Sequence, residues 1–185
     1  DEKAFRALVR AHHTSLVAVA KTIVGDAGVA EEVVQETWLA ALRGLYGFRQ
    51  DSSLKTWLFG IMLNLARKRV RDDARIDLRA SLSLPSNEDR AHRELFENGR
   101  WAKPPGTWSI NPEDKTEQMQ LLELVRNGIQ TLPEGQRMVL QLSDVEGFTG
   151  PEICQLLDLS ASNQRVLLHR ARNSVRIYVE SHLGD

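Results

Sequence analysis

Residues Leu54 to Arg75 read LKTWLFGIMLNLARKRVRDDAR, and the class of the fold turns on them. Leu54, Leu58, Ile61 and Leu65 fall at i, i+4, i+7 and i+11, which is one face of a helix. Asn64, Lys68, Arg71 and Arg75 repeat that spacing alongside. A helix buried along the first stripe presents an amide and a row of cations along the second. Such a surface suits an anion. It equally suits the solvated outer side of a core helix, the ordinary fate of a charge run, and periodicity alone leaves both readings open.

Upstream, Phe5, Leu8, Val9, Leu16, Val19, Ala20 and Ile23 keep helical spacing, and Gly25-Asp26 ends the run, so a first helix is expected over about Glu2 to Val24. A second is expected over Ala30 to Leu45. It would place Val33, Val34, Thr37, Trp38, Ala41, Leu42 and Leu45 on one face and turn Glu31, Glu32, Gln35 and Glu36 away. The loop Phe48-Arg49-Gln50-Asp51-Ser52-Ser53 follows, with Ser and Asp residues suited to cap the opening helix.

Downstream the periodicity fades from about Asp77 to Asp114. Pro85, Gly99, Pro104, Pro105, Gly106 and Pro112 break any long helix, although Arg90 to Glu97 could form a short one. Phe96, Trp101 and Trp108 are unusual in a linker and suit tacking it onto a neighbouring domain or docking on a partner. Helical pattern returns at Glu117 with Leu121, Leu122, Leu124, Val125 and Ile129. Leu132-Pro133-Glu134 opens another helix with Pro at its first position, apolar through Met138, Val139, Leu140 and Leu142 and ended by Gly147. A short helix, Pro151 to Leu157, a polar turn around Asp158 to Ser162 and a long helix to about Glu180 complete the chain. No segment alternates with period two, so the expected fold is all-α: two small helical domains joined by a linker.

The last two helices have the form of a helix-turn-helix. On a helical wheel Leu167, Leu168, Ala171, Val175 and Tyr178 face inward, while Arg165, Val166, His169, Arg170, Arg172 and Arg176 face out. Arg can grip guanine or phosphate and Val can touch a thymine methyl, so that face suits a major groove. A bundle corner gives the same pattern.

The 185 residues are 42% hydrophobic and 26% charged, and the formal net charge of -1 averages segments of opposite sign. Lone Cys154 cannot form an intramolecular disulfide and is expected to fill a small core position. No apolar run approaches the roughly 20 residues of a membrane span, so a cytoplasmic protein without membrane insertion is expected. The chain starts at Asp1 rather than Met, so its true terminus is expected upstream. His12, His13, His92, His169 and His182 lack metal-ligand spacing, Cys154 has no CxxC companion and no glycine-rich phosphate loop occurs. No enzyme, metal or cofactor is expected. A dimeric helix-turn-helix regulator with an N-terminal sensing domain and an adaptor binding only proteins are the alternatives.

Order is more telling than any one motif. GDAGVAEEVVQETWLAAL, then FRQDSSLKTWLFGIMLNLARKRVR, then LPEGQRMVLQLSDVEGFTGPEICQLLDLSASNQRVLLHRAR together resemble the sigma-70 family of bacterial initiation factors, in its compact extracytoplasmic-function group. The resemblance implies region 2 over 1–76, a linker over 77–116 and region 4 over 117–185. It implies binding to core RNA polymerase, at the beta-prime clamp and beta flap, to promoter DNA and to an anti-sigma factor. Asp26, Glu31, Glu32, Gln35 and Glu36 become polymerase contacts. Arg49, Gln50, Asp51, Ser52, Ser53, Lys55, Asn64, Lys68, Arg69 and Arg71 fall to the minus 10 element, where relatives hold a base flipped from the non-template strand. Arg165, Val166, His169, Arg170 and Arg172 fall to the minus 35 element. Trp57, on the apolar side, is expected in the core rather than stacked on a base.

The sequence departs from the family in region 4. Asn163 and Gln164 stand where a Thr-Val pair is common, and Leu167 where an Arg is common. Gln164 faces inward on the wheel and needs a partner. Leu167, lacking the usual charge, is expected to join a surface covered by an inhibitor.

Overall fold

The computed structural model describes residues 2–49, 51–72, 96–97, 100–101 and 115–183. Among these the helices are α1 (Glu2–Val24), α2 (Ala27–Gly44), α3 (Leu54–Asp72), α4 (Lys115–Gln130), α5 (Glu134–Leu140), α6 (Gly150–Leu157) and α7 (Ala161–His182). A 3₁₀ turn, Leu45–Gly47, extends α2, and a π turn, Gln141–Val145, extends α5. The one departure from helix is a two-residue antiparallel pairing of Phe96–Glu97 with Arg100–Trp101, so Phe96 and Glu97 are extended and not the end of a short helix. Trp108 lies outside the described residues.

The boundaries follow from capping. Gly25 takes φ +76°, a left-handed conformation that favours glycine, and its N–H closes on the Lys21 carbonyl at 2.9 Å. Asp26 then caps α2 by accepting from the Val29 N–H at 2.9 Å. The second helix therefore starts one turn before the first periodic apolar residue. Ser53 does the same for α3, its Oγ accepting from Thr56 N–H at 3.0 Å. Pro133 is the cap of α5 and not its first helical residue. In α6 the sequence Thr-Gly-Pro-Glu forms a capping box: Thr149 N–H and Oγ1 donate to Glu152 Oε2 at 2.9 and 2.7 Å.

Helices α1, α2 and α3 pack into a three-helix group around Leu16, Val19, Ile23, Val34, Leu58 and Met62, all essentially inaccessible. Each such side chain contributes about 1.5–3 kcal/mol by leaving water. The buried surface of α3 is broader than the sequence stripe. Phe59, Leu63, Ala66 and Val70 are buried with Leu58 and Met62, whereas Leu54, Ile61 and Leu65 are only half-buried. Helices α4, α5 and α6 all pack on α7, and a smaller core joins Leu132, Leu140, Ala171, Val175 and Val179.

The second buried side of α3 has a cause that the sequence does not display. The larger core is continuous across both halves of the chain: Met138, Val139, Leu142, Phe148, Ile153, Leu156, Leu157 and Leu167 join the residues of α1 to α3. Phe59 meets Phe148 edge-on, with ring centroids 4.9 Å apart. Leu156 lies over Gly60, where a Cβ would sit 3.8 Å from its Cδ2. Leu167 is thus covered by its own chain, which corrects its assignment to a partner-covered surface. Gln164 is buried with its Oε1 against Gly150, 3.5 Å from where a Cβ would stand.

Candidate nucleic-acid interface

The exposed face of α2 carries Glu32, Gln35 and Glu36, with Glu31 half-buried beside them. Glu31 pairs with His13 Nε2 at 3.3 Å, and Glu32 pairs with Arg69 of α3. Asp26 is exposed but already engaged as the cap of α2. Beyond the acids the same helix exposes Leu39, Leu42, Leu45 and the whole of Tyr46. Leu42 and Leu45 were expected inward. The helix buries only Ala30, Val33, Val34, Thr37, Trp38 and Ala41, and the chain turns tightly before Leu45 can reach the core. An apolar patch of this kind rimmed by acid has the composition that suits a protein partner.

The loop after α2 is pinned at its start, because the Phe48 ring packs on Trp57 with centroids 5.1 Å apart. Trp57 in turn closes on α2, with a Cβ at Gly44 falling 3.1 Å from its ring. It is half-buried and touches the larger core. Arg49 and Asp51 are exposed, Ser52 is half-buried, and Gln50 lies outside the described residues. A cavity of about 680 Å³ lies on the far side of α1, whereas one of about 510 Å³ opens beside this loop. The second is walled by Ser52, Thr56, Trp57, Asn64 and Arg67 from one half and by Gln155, Leu156 and Asp158 from the other. It therefore gathers an aromatic face, an amide, hydroxyls and a guanidinium. Asn64, Lys68 and Arg71 stand exposed along α3, as the second sequence stripe requires; Arg75 lies outside the described residues.

Lys55 is placed differently. Its ammonium donates to the carbonyl of Glu146, lies 3.6 Å from that residue's carboxylate and sits 4.6 Å from the Phe148 ring centroid. Nearby Thr56 donates to Glu152 Oε1 at 2.8 Å and Arg67 donates to the Leu156 carbonyl at 3.3 Å. The N–H and hydroxyl of Thr149, together with Thr56, hold the Glu152 carboxyl below its ordinary value of 4.5. At the same seam, burial and then the Lys55 charge lower His12 from 6.5, against an opposing pull from Glu146. Thr56, Arg67, Glu146 and Glu152 were not singled out from the sequence. The Thr-Gly-Pro-Glu cap was readable there, but nothing local reveals its partner Thr56.

On α7 the outward half of the wheel does not hold. Arg165 is exposed and Arg170 half-buried, but Val166 and His169 are only 2% and 5% exposed. A one-sided wheel assumes one packed face, whereas α7 is in contact with α4, α5 and α6. Arg172 is exposed yet engaged, donating through Nε and a terminal nitrogen to Asp144 at 2.9 and 2.6 Å. Burial works to raise the Asp144 carboxyl, but its bonds to Arg172 and Ser143 outweigh it and the net shift is downward. Bonding to Asp144 raises Arg172. Cys154 is half-buried and not a core residue. Among the described residues no group of His, Cys, Asp and Glu is placed to hold a metal, and no helix is long and apolar enough to cross a membrane.

Comparison with known proteins gives this geometry a family. Sigma-70 region 2 matches residues 8–76 and Sigma-70, region 4 matches residues 122–175. The ECF RNA polymerase sigma-E factor of Salmonella typhimurium is 31% identical over 176 residues, covering 95% of this chain and 86% of that protein. The chain belongs to the extracytoplasmic-function sigma factors. Two solved structures share its fold. One is RpoE of Bartonella quintana, bound to the anti-sigma factor NepR, with a TM-score of 0.62 at 20% identity over 97% of this chain and 99% of that one. The other is CnrH bound to the cytosolic domain of CnrY, with a TM-score of 0.59 at 22% identity over 98% and 91%. As an extracytoplasmic-function sigma factor the chain binds core RNA polymerase and promoter DNA and directs promoter-specific transcription initiation, in a family that is not one of enzymes.

Proposed function

We propose that residues 1–76 dock on the polymerase and open the promoter, that 77–116 link, and that 117–185 recognise the upstream element. The observation that carries this reading is the pairing of two unlike surfaces on adjacent helices, acid with exposed apolar residues on α2 and an amide with cations on α3. An acid cluster cannot face phosphate favourably, so Glu31, Glu32, Gln35 and Glu36, with Asp26 at the helix start, take a basic helix of the beta-prime clamp. Leu39, Leu42 and Tyr46 add the apolar part of that contact.

The loop Arg49 to Ser53 and Asn64 hold a base flipped out of the minus 10 element, in the cavity that Trp57 lines. Lys55, Lys68, Arg69 and Arg71 hold the neighbouring backbone. Unstacking a base costs a few kcal/mol, which contacts to its edge offset. On α7, Arg165, Arg170 and Arg172 meet the minus 35 element. Val166 and His169 join them only in a form of the protein that uncovers them. The beta flap is the region 4 contact on polymerase. A cytoplasmic site of action follows from these partners, and the likeness to RpoE bound to the anti-sigma factor NepR supports control by an anti-sigma factor.

In vitro transcription with purified core polymerase tests this reading. The expected result is initiation from a defined subset of promoters in a matched genomic library, absent with core polymerase alone. Duplex operator binding by a dimer, with no initiation from any promoter, would overturn it in favour of a conventional helix-turn-helix regulator.

A further inference from the structure

Spacing gives His13 no chemical role in the sequence, but it stands four residues after Val9 and three before Leu16, on the stripe of α1 that carries the core. Helix α2 packs against α1, and His13 falls between two of its residues, Trp38 and Glu31, roughly two turns apart. The indole of Trp38 is buried, edge-on to the Phe5 ring with centroids 5.7 Å apart, so its N–H needs a partner inside the protein. That partner is His13 Nδ1, which accepts the bond at 3.3 Å. The other ring nitrogen, Nε2, stands 3.3 Å from the Glu31 carboxylate. An indole N–H can only donate, so Nδ1 must present a lone pair. The neutral ring then carries its one proton on Nε2, toward Glu31.

We propose that His13 is a positioning residue for polymerase docking: held by Trp38 in its Nε2–H form, it fixes the carboxylate of Glu31 on the face of α2 that meets the polymerase. A neutral imidazole does here what a Lys or Arg would not. It orients the carboxylate and leaves the negative charge uncancelled, available to a basic partner. Glu32, the next residue, is by contrast paired with the cation Arg69 of α3. The gain is one of preparation, because a carboxylate already in place gives up less rotamer freedom when the partner arrives. The indole supplies the anchor: it is fixed in the core by Phe5, and through His13 it carries that order out to a half-exposed acid. The proposal rests on the docking reading of α2 given above.

The test uses the full chain with core polymerase. Nitrogen NMR of the histidine rings at about pH 8, where an imidazole is ordinarily neutral, should show His13 in the Nε2–H form alone. The Nδ1–H form overturns the proposal. Competition against a labelled wild-type chain for core polymerase then measures docking. His13→Phe keeps a ring but neither nitrogen, and should weaken docking about two- to fivefold, the range of one half-exposed contact. Glu31→Gln should weaken it as well, and the double variant should be no weaker than Glu31→Gln alone, because His13 acts only through Glu31. His13→Gln, which keeps an N–H that can face Glu31, should lose less than His13→Phe. Additive losses in the double variant overturn the proposal, and so does an equal loss in His13→Gln and His13→Phe. If His13→Phe loses its helical circular dichroism, the wild-type spectrum and the same cycle built with His13→Gln decide. The two claims separate at Glu31: Glu31→Gln at wild-type affinity counts against the docking reading, whereas weakening by Glu31→Gln with additive losses counts against positioning by His13 alone.

Discussion

Helices α3 and α7 were both read from an apolar stripe beside a basic one, and they meet different fates. Along α3 the basic stripe stands open at Asn64, Lys68 and Arg71. Along α7 the corresponding face is half taken: Val166 and His169 are buried and Arg172 is tied to Asp144. The difference lies in how many neighbours each helix has. Helix α3 keeps Lys68 and Arg71 clear of both packed sides, whereas α7 is held between three helices that leave Arg165 and Arg172 as its main outward charges. Periodicity locates one buried face and says nothing of a second.

The largest effect expected from breaking this comparison comes at its hinge, Phe59. Phe59→Ala should destabilise the protein by about 3–5 kcal/mol. Because the ring packs on Phe148, probes in both halves should lose stability together in a denaturant titration. Loss confined to the first half would mean that the shared core is not maintained in solution. Next come the open cations. Lys68→Ala and Arg71→Ala should each weaken promoter binding similarly on all sequences and lower the slope of log K against log salt by about 0.7 for a single strand, whereas Arg172→Ala should change that slope less, its charge being already paired.

A smaller, pH-dependent effect separates the halves. Bonding to Thr149 and Thr56 holds the Glu152 carboxyl below 4.5 in the folded protein, so its contribution is present above that value and is lost as pH falls through the lowered one. Thr56→Val should shrink that acid-dependent part, seen as a flatter stability-against-pH curve below pH 5 by chemical denaturation. His12, lowered by burial and by Lys55, works in the same sense at higher pH: protonating it costs the folded seam, so stability falls as pH drops through its range. The smallest effect is that of the exposed pair itself. Asp144→Ala should cost between 0 and about 1 kcal/mol, measured against Arg172→Ala and the double variant in a mutant cycle.

Most of the helices were legible because their limits are local. Gly25, Asp26, Ser53, the Thr149–Glu152 box and Ser160 each declare an end through one or two side chains. The open stripe of α3 was legible for the same reason. What escaped depends on residues far apart in sequence. Thr56 meets Glu152 and Lys55 meets Glu146 across 96 and 91 residues, and no periodicity encodes such a pairing. The outward turn of Leu42 and Leu45 escaped because apolar spacing cannot distinguish a core stripe from a docking patch. The pairing of Arg172 with Asp144 belongs to the π turn, which no residue of 141–145 announces.

The comparison finally turns on the proposed division of labour, in which Asn64 of α3 holds an opened strand and Arg165 of α7 finds the duplex. Asn64→Ala and Arg165→Ala, each assembled with core polymerase on one promoter, test it directly by permanganate footprinting of unpaired thymines beside filter binding of the closed complex. Asn64→Ala should lower permanganate reactivity about tenfold or more while leaving closed-complex affinity within about twofold, in keeping with the roughly 1–3 kcal/mol of one base contact, and Arg165→Ala should weaken the closed complex and leave opening from bound complexes intact. The reverse pattern would contradict the account.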